Sequence, residues 1–242
     1  MNSVSRRCAV ALVSCLAGAA LLSAQNDMRG HWTGTLDTPV GSLGVEFDLD
    51  KAPGGWIGSA SIPLQNATGL PLDAISFADG KGTFRIKGAP GDPTFSGTLS
   101  ADGKTLDGQF TQGPGGIPLK LSRTGDPKVD VPKPSPAVAA EFVGAWEGTL
   151  EANMPLRLVL TISNSKAGAE AELVSLDQGN ARIAVSTITQ TGKKLTLQVN
   201  AVGGGYEGEI NSDATQLTGS WTQLGNSLPL TLKKTTAAPG KP

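Results

Sequence analysis

From residue 30 onward, apolar and polar residues alternate with period two. Leu43, Val45, Phe47 and Leu49 are separated by Gly44, Glu46 and Asp48. Leu156, Leu158, Leu160 and Ile162 are separated by Arg157, Val159 and Thr161. Phe84 and Ile86, then Leu195, Leu197 and Val199, repeat the pattern. Successive side chains of a strand point to opposite faces, so this alternation predicts strands with one buried and one wet face. Turn residues separate the runs: Pro53-Gly54-Gly55, Asp79-Gly80, Pro90-Gly91-Asp92, Asp102-Gly103 and Gly203-Gly204-Gly205. Asp-Gly supplies the positive φ angles of tight hairpins. The first half then reads as eight strands, over about 31–37, 43–49, 56–64, 70–77, 82–88, 94–99, 105–112 and 117–123. No apolar stripe of helical period is long enough to predict a helix.

The pattern occurs twice. Gly30-His31-Trp32-Thr33-Gly34-Thr35-Leu36 matches Gly144-Ala145-Trp146-Glu147-Gly148-Thr149-Leu150. Gln65 falls on Gln178 and Ile75 on Ile188. Leu106 to Gln112 matches Leu217 to Gln223, and Ile117 to Leu121 matches Leu228 to Leu232. Such self-similarity marks a duplication. One copy spans 27–124 and the other 139–236, each of ordinary domain size. Between them, 125–138 carries prolines 127, 132, 134 and 136 and reads as an extended, hydrogen-bond-free spacer. The tail 237–242 is small and Pro/Gly-bearing, and reads as disordered.

The expected fold class is all-β: two tandem antiparallel meander barrels of about eight strands, with a β-sandwich as the alternative. Short connections favour pairing of nearest neighbours around a ring, and closure removes exposed edges. The first-strand Gly-x-Trp resembles the opening of lipocalin- and avidin-like barrels.

The N-terminus changes the picture of where the chain works. Arg6 and Arg7 precede an uncharged run of 17 residues from Cys8 to Ala24. This reads as a secretory signal peptide over 1–24, hence a secreted or periplasmic protein. Leu12-Val13-Ser14-Cys15 resembles a lipobox, which makes a lipid anchor at Cys15 the alternative. Both cysteines lie in this segment, so cleavage after Ala24 leaves no disulfide or thiol nucleophile. Loss of Arg6 and Arg7 takes the basic count from 20 to 18 against 21 acidic residues, a net charge of −3. That balance excludes a basic nucleic-acid footprint. No later segment is apolar enough to span a membrane as a helix.

Residues that agree between the copies are the first candidates for a role. Trp32 and Trp146 share parity with Leu36 and Leu150 and should point inward, as core plugs or as platforms for a ligand. Gly34, Gly97 and Gly108, with Gly148, Gly208 and Gly219, fall on the same parity, to allow a bend, close packing over a tryptophan, or space for a ligand. Gln112 and Gln223 have inward parity at a strand end and should tie down backbone groups. Gln65 and Gln178 lie in the loop after the third strand. With the tryptophans, these four glutamines are the candidate binding residues.

Catalytic patterns are sparse. His31 is the only histidine and is matched by Ala145, so it reads as an exposed strand residue. No zinc constellation, G-x-S-x-G elbow, phosphate-binding loop or dinucleotide fingerprint occurs. Asp48 and Asp50 lack the Gly and distal Glu of a calcium loop and read as a solvated strand face. No metal or cofactor is expected.

The second copy runs G-x-W-x-G-x-L (144–150), L-x-L-V-L (156–160), S-L-D-Q-G (175–179), Y-x-G (206–208), L-T-G-S-W-T-Q (217–223) and L-P-L-T-L (228–232). It resembles the β-rich domain that precedes the catalytic domain of some secreted bacterial α/β-hydrolases. The first copy departs, with Pro63-Leu64-Gln65-Asn66 in place of Leu176-Asp177-Gln178-Gly179. The resemblance implies an accessory module and carries over no active site. The expectation is an exported, non-enzymatic binding or accessory protein, with a hydrolase or envelope protein as partner. A carrier of small apolar ligands inside a barrel is the alternative, and a hydrolase of unrecognised kind the third reading. A carrier needs an interior cavity, whereas Trp32, Phe47, Phe84, Phe95 and Phe110 would fill a barrel.

Overall fold

The computed structural model describes residues 27–39 and 41–236. The expected signal peptide, its Cys15 alternative and the tail 237–242 lie outside the described residues. Strands carry the fold, joined by turns and three short 3-10 segments, Pro63–Gln65, Leu176–Gln178 and Asn200–Val202.

The first copy forms β1 (Gly30–Thr38), β2 (Gly41–Ala52), β3 (Gly55–Ile62), β4 (Ala67–Ala78), β5 (Lys81–Ile86), β6 (Thr94–Leu99), β7 (Thr105–Gln112) and β8 (Gly115–Gly125). Each pairs antiparallel with the next, and β8 returns to β1, closing an eight-stranded barrel. This is the meander that the alternation predicts, and closure rules out the sandwich for this half. Phe47, Phe84 and Phe95 are buried in contact, with ring centroids 4.9 Å and 5.0 Å apart. With Trp32, Leu49, Leu106 and Leu121 they fill the interior.

The second copy departs from the expected closed barrel. It forms β9 (Gly144–Glu151), β10 (Pro155–Ser165), β11 (Gly168–Ser175), β12 (Ala181–Ala184), β13 (Thr187–Thr191), β14 (Lys194–Val199), β15 (Gly204–Ile210), β16 (Gln216–Gln223) and β17 (Asn226–Thr235). These make a nine-stranded curled sheet whose two edges are the consecutive strands β12 and β13. The cause lies in the fourth strand. In the first copy β4 bends through a register shift between Asp73 and Ser76, with Ala74 at φ 48°, and stays one strand. In the second copy the strand is interrupted at Val185-Ser186. Those two residues still stitch the seam: Val185 N–H donates to Ala171 O at 3.0 Å and Ser186 N–H to Gln198 O at 2.7 Å. The interior is filled by Trp146, Leu160, Ile162, Leu195, Leu197, Tyr206, Leu217 and Trp221.

The proline-rich connection is not hydrogen-bond-free. Lys128 N–H donates to Asp48 Oδ1 at 2.8 Å and Asp130 N–H to Ser59 Oγ at 3.1 Å, on the outer face of the first barrel. Ser135 then enters the open part of the second seam. Ala169 N–H donates to Ser135 O at 3.0 Å, and Ile188 N–H donates to Ser135 Oγ at 2.7 Å. Val138, three residues on, belongs to the second interior. Proline removes donors from the connection, but its remaining amides and carbonyls still require partners when buried.

The copies also touch directly. Ala184 N–H donates to Gly88 O at 3.0 Å and Asn200 Nδ2 to Thr68 O at 2.8 Å. Gly203, at φ 57°, lies against Gln65 O and Asn66.

Candidate functional site

The tryptophans are interior residues held by one device in both halves. Trp32 Nε1 donates to Met28 O and Trp146 Nε1 to Phe142 O, each at 2.9 Å and each four residues back. A cation from the last strand covers each ring: Arg123 lies 4.5 Å from the Trp32 centroid and Lys234 lies 5.0 Å from that of Trp146. Both cations also bond the segment leading into the first strand. Arg123 donates to Arg29 O and Asp27 O, and Lys234 Nζ donates to Glu141 O at 2.8 Å. Sequence reading passed over this pair. The signal was available, since Arg123 and Lys234 follow Leu121 and Leu232 at the same spacing.

The four glutamines do not converge. Gln65 and Gln178 are exposed in equivalent 3-10 turns of different halves. Gln112 is exposed, not inward, because β7 ends there and the side chain leaves the interior to donate to Pro90 O at 2.9 Å. Gln223 is half-buried, donates to Val202 O at 2.7 Å and accepts from Trp221 Nε1 at 3.2 Å. Gln112 therefore pins the loop between β5 and β6, and Gln223 pins the one between β14 and β15.

Of the six glycines that agree between the copies, Gly97 and Gly208 pack over rings other than tryptophan, and the other four lie against neighbouring backbone. A Cβ on Gly97 would lie 2.6 Å from the Phe95 ring, and one on Gly208 would meet the Tyr206 ring. Burial also pushes the Tyr206 hydroxyl above its ordinary pKa, because the phenolate would lose its hydration.

His31 is half-buried rather than exposed. Its Nδ1 lies 2.9 Å from Asp48 Oδ1, the same oxygen that accepts Lys128 N–H. Asp48 is therefore engaged, not solvated. Asp50 stays on the surface, where the Lys51 amide first and Arg29 second hold its carboxyl below the ordinary range. A His–Asp pair supplies two members of a catalytic triad, but no serine hydroxyl bonds the His31 ring among the described residues. No cluster of three metal-ligating side chains occurs among them either.

The row His31, Asp48, Ser59, Pro71 runs across the outer face of β1 to β4. Its equivalent in the second copy is Ala145, Thr161, Glu172, Ala184. The first row carries the connecting segment. The second row borders a groove of about 610 Å³ between the copies. Its apolar walls are Leu70, Pro71, Pro132 and Pro134, and β10 and β11 form its floor through Thr161, Ser163 and Ala171. Lys87, Lys133, Arg182, Glu170 and Glu172 stand around it. Arg182 bonds both carboxylate oxygens of Glu172, and Ser165 Oγ donates to Glu170 at 3.1 Å. A second opening of about 420 Å³ is lined by Asn66, Thr68, Gln198, Asn200 and Gly203 to Gly205. None of the six candidate residues lines either groove. The groove residues come from both copies and the connection, and no local motif marks them.

The molecule is thus an all-β protein that joins a closed eight-stranded antiparallel barrel to a curled nine-stranded one. No family model matches the chain. No curated protein matches it. Among solved structures, a protein of unknown function from the DUF3598 family of Nostoc punctiforme shares 13% identity over 88% of this chain and 98% of its own, with a TM-score of 0.21. A "putative AttH" from Nitrosomonas europaea shares 15% over 94% and 99%, with a TM-score of 0.24. Among the described residues, no helix is long and apolar enough to cross a membrane.

Proposed function

We propose that the chain is an exported, non-enzymatic binding protein that holds its ligand or partner in the groove between the two copies. The observation that carries this is where space remains. Both interiors are packed with large side chains, whereas an opening of about 610 Å³ lies between the halves and the connection. Ligand sites fall in this size range and favour such junctions. The same packing argues against the carrier reading, which needs a hollow barrel. The leader-like run over 8–24 supports export, and the resemblance of 144–232 favours a hydrolase or an envelope protein as partner.

Ser163 is exposed on β10 and faces the groove, so Ser163→Trp fills the groove without entering the core. Affinity capture from the cell-envelope fraction, read by mass spectrometry, should recover a partner with the natural chain and lose it with Ser163→Trp at unchanged thermal stability. Equal recovery by both chains overturns the groove as the site.

A further inference from the structure

Resting on that reading of the groove, we propose that its ligand is a small organic acid: an apolar body carrying a carboxylate. The argument is charge complementarity inside a cavity of small-molecule size. Of the ionic groups at the rim, Arg182 and Glu172 neutralise each other through two hydrogen bonds. Glu170 accepts from Ser165, beside the β10–β11 turn. Lys87 and Lys133 line the same cavity from the first copy and the connection. Neither ammonium has a carboxylate within ion-pair distance among the described residues. With the Arg182–Glu172 pair cancelled, the rim keeps one net positive charge. Proline, leucine and alanine offer a ligand apolar contact area in the groove, and Thr161, Ser163 and Ser186 add hydroxyls to its lining. An anionic head satisfies the lysines while its apolar body covers Leu70, Pro71, Pro132 and Pro134. A neutral ligand leaves the lysines unused, and a cation meets like charge.

The test is calorimetric titration of the full chain with octanoate, octanol and octylamine, and of two variants with octanoate and octanol. The expected result is binding of octanoate alone, weakened about tenfold or more in Lys87→Gln/Lys133→Gln. Ser163→Trp should abolish it, and raising the salt should weaken it. If octanol binds as tightly as octanoate and Ser163→Trp abolishes both, the acid assignment is overturned while the groove stands. If octanoate binding survives Ser163→Trp, both the assignment and the groove fail. If no probe binds, the acid assignment is overturned, and envelope capture alone decides the groove.

Discussion

Gly108 and its counterpart Gly219 sit where neighbouring strands come too close for a side chain. A Cβ on Gly219 would run into Glu207 O and the Cα of Gly208, and one on Gly108 would meet Ser96 O and the Cα of Gly97. These obstacles are backbone and cannot rotate away. Gly219→Ala should therefore destabilise the second half by about 1–3 kcal/mol through overpacking, read from urea unfolding. Gly115, with open space around its Cβ and no positive φ, is the control: Gly115→Ala should leave stability nearly unchanged. Charge at the residue scale acts more weakly. Asp73 accepts two hydrogen bonds from Arg85, which with the nearby charge hold its carboxyl below the ordinary range. A lowered folded-state pKa adds stability above the unfolded value, and that stability is lost as pH falls through the folded one. Asp73→Asn should thus leave stability near pH 7 slightly lower and flatten the acid limb below about pH 4. Both partners are partly exposed, so the effect stays under about 1 kcal/mol. A urea midpoint series from pH 2 to pH 7 checks it.

At the scale of elements, the connection is part of the second sheet. Ser135 supplies an acceptor to Ile188 N–H, which has no strand beside it there. Ser135→Ala leaves that buried amide without its partner, at about 1–3 kcal/mol. Hydrogen exchange at the Ile188 amide should accelerate accordingly, whereas a loose spacer would leave it unchanged. The first copy handles the same place differently. Trp56 stands where the second copy has Ala169, and Phe77 where it has Gln190, by the spacing that aligns Ile75 with Ile188. Both aromatics pack against the first interior, and Gln190 instead accepts Ala139 N–H at 2.7 Å. Large side chains fill the end of one barrel, and main chain from the connection fills the other.

For the whole molecule, this makes the halves unequal. A fragment beginning at residue 139 loses Ser135 and Val138, and should unfold at lower urea than one beginning at residue 131. The halves are also coupled where Gly203 lies on Gln65 O and Asn200 bonds Thr68 O. Gly203→Ala adds both a clash there and an unfavourable left-handed φ. It should separate the unfolding of the two halves, resolving one calorimetric transition into two.

Much of this was legible beforehand, because period two and turn chemistry are local. They located β1 to β8 within a few residues, marked β9, β10 and β14 in the second copy, and turned Trp32 and Trp146 inward. The triple glycine 203–205 was misread as a turn. Only Gly203 has a turn conformation, while Gly204 and Gly205 lie in β15 against Trp221 and Leu197 O. Parity also carried Gln112 one step too far, past the point where its strand leaves the barrel. Alternation and duplication alone thus determined two antiparallel modules with filled interiors, since side-chain direction in a strand follows from the backbone. Tertiary structure alone decided that one ring closes and the other does not, that Ser135 mends the open seam, and that Lys87 and Lys133 share a groove. Those outcomes depend on bringing together residues far apart in the chain, such as Ser135 with Ile188 and Lys87 with Lys133, which no local pattern encodes.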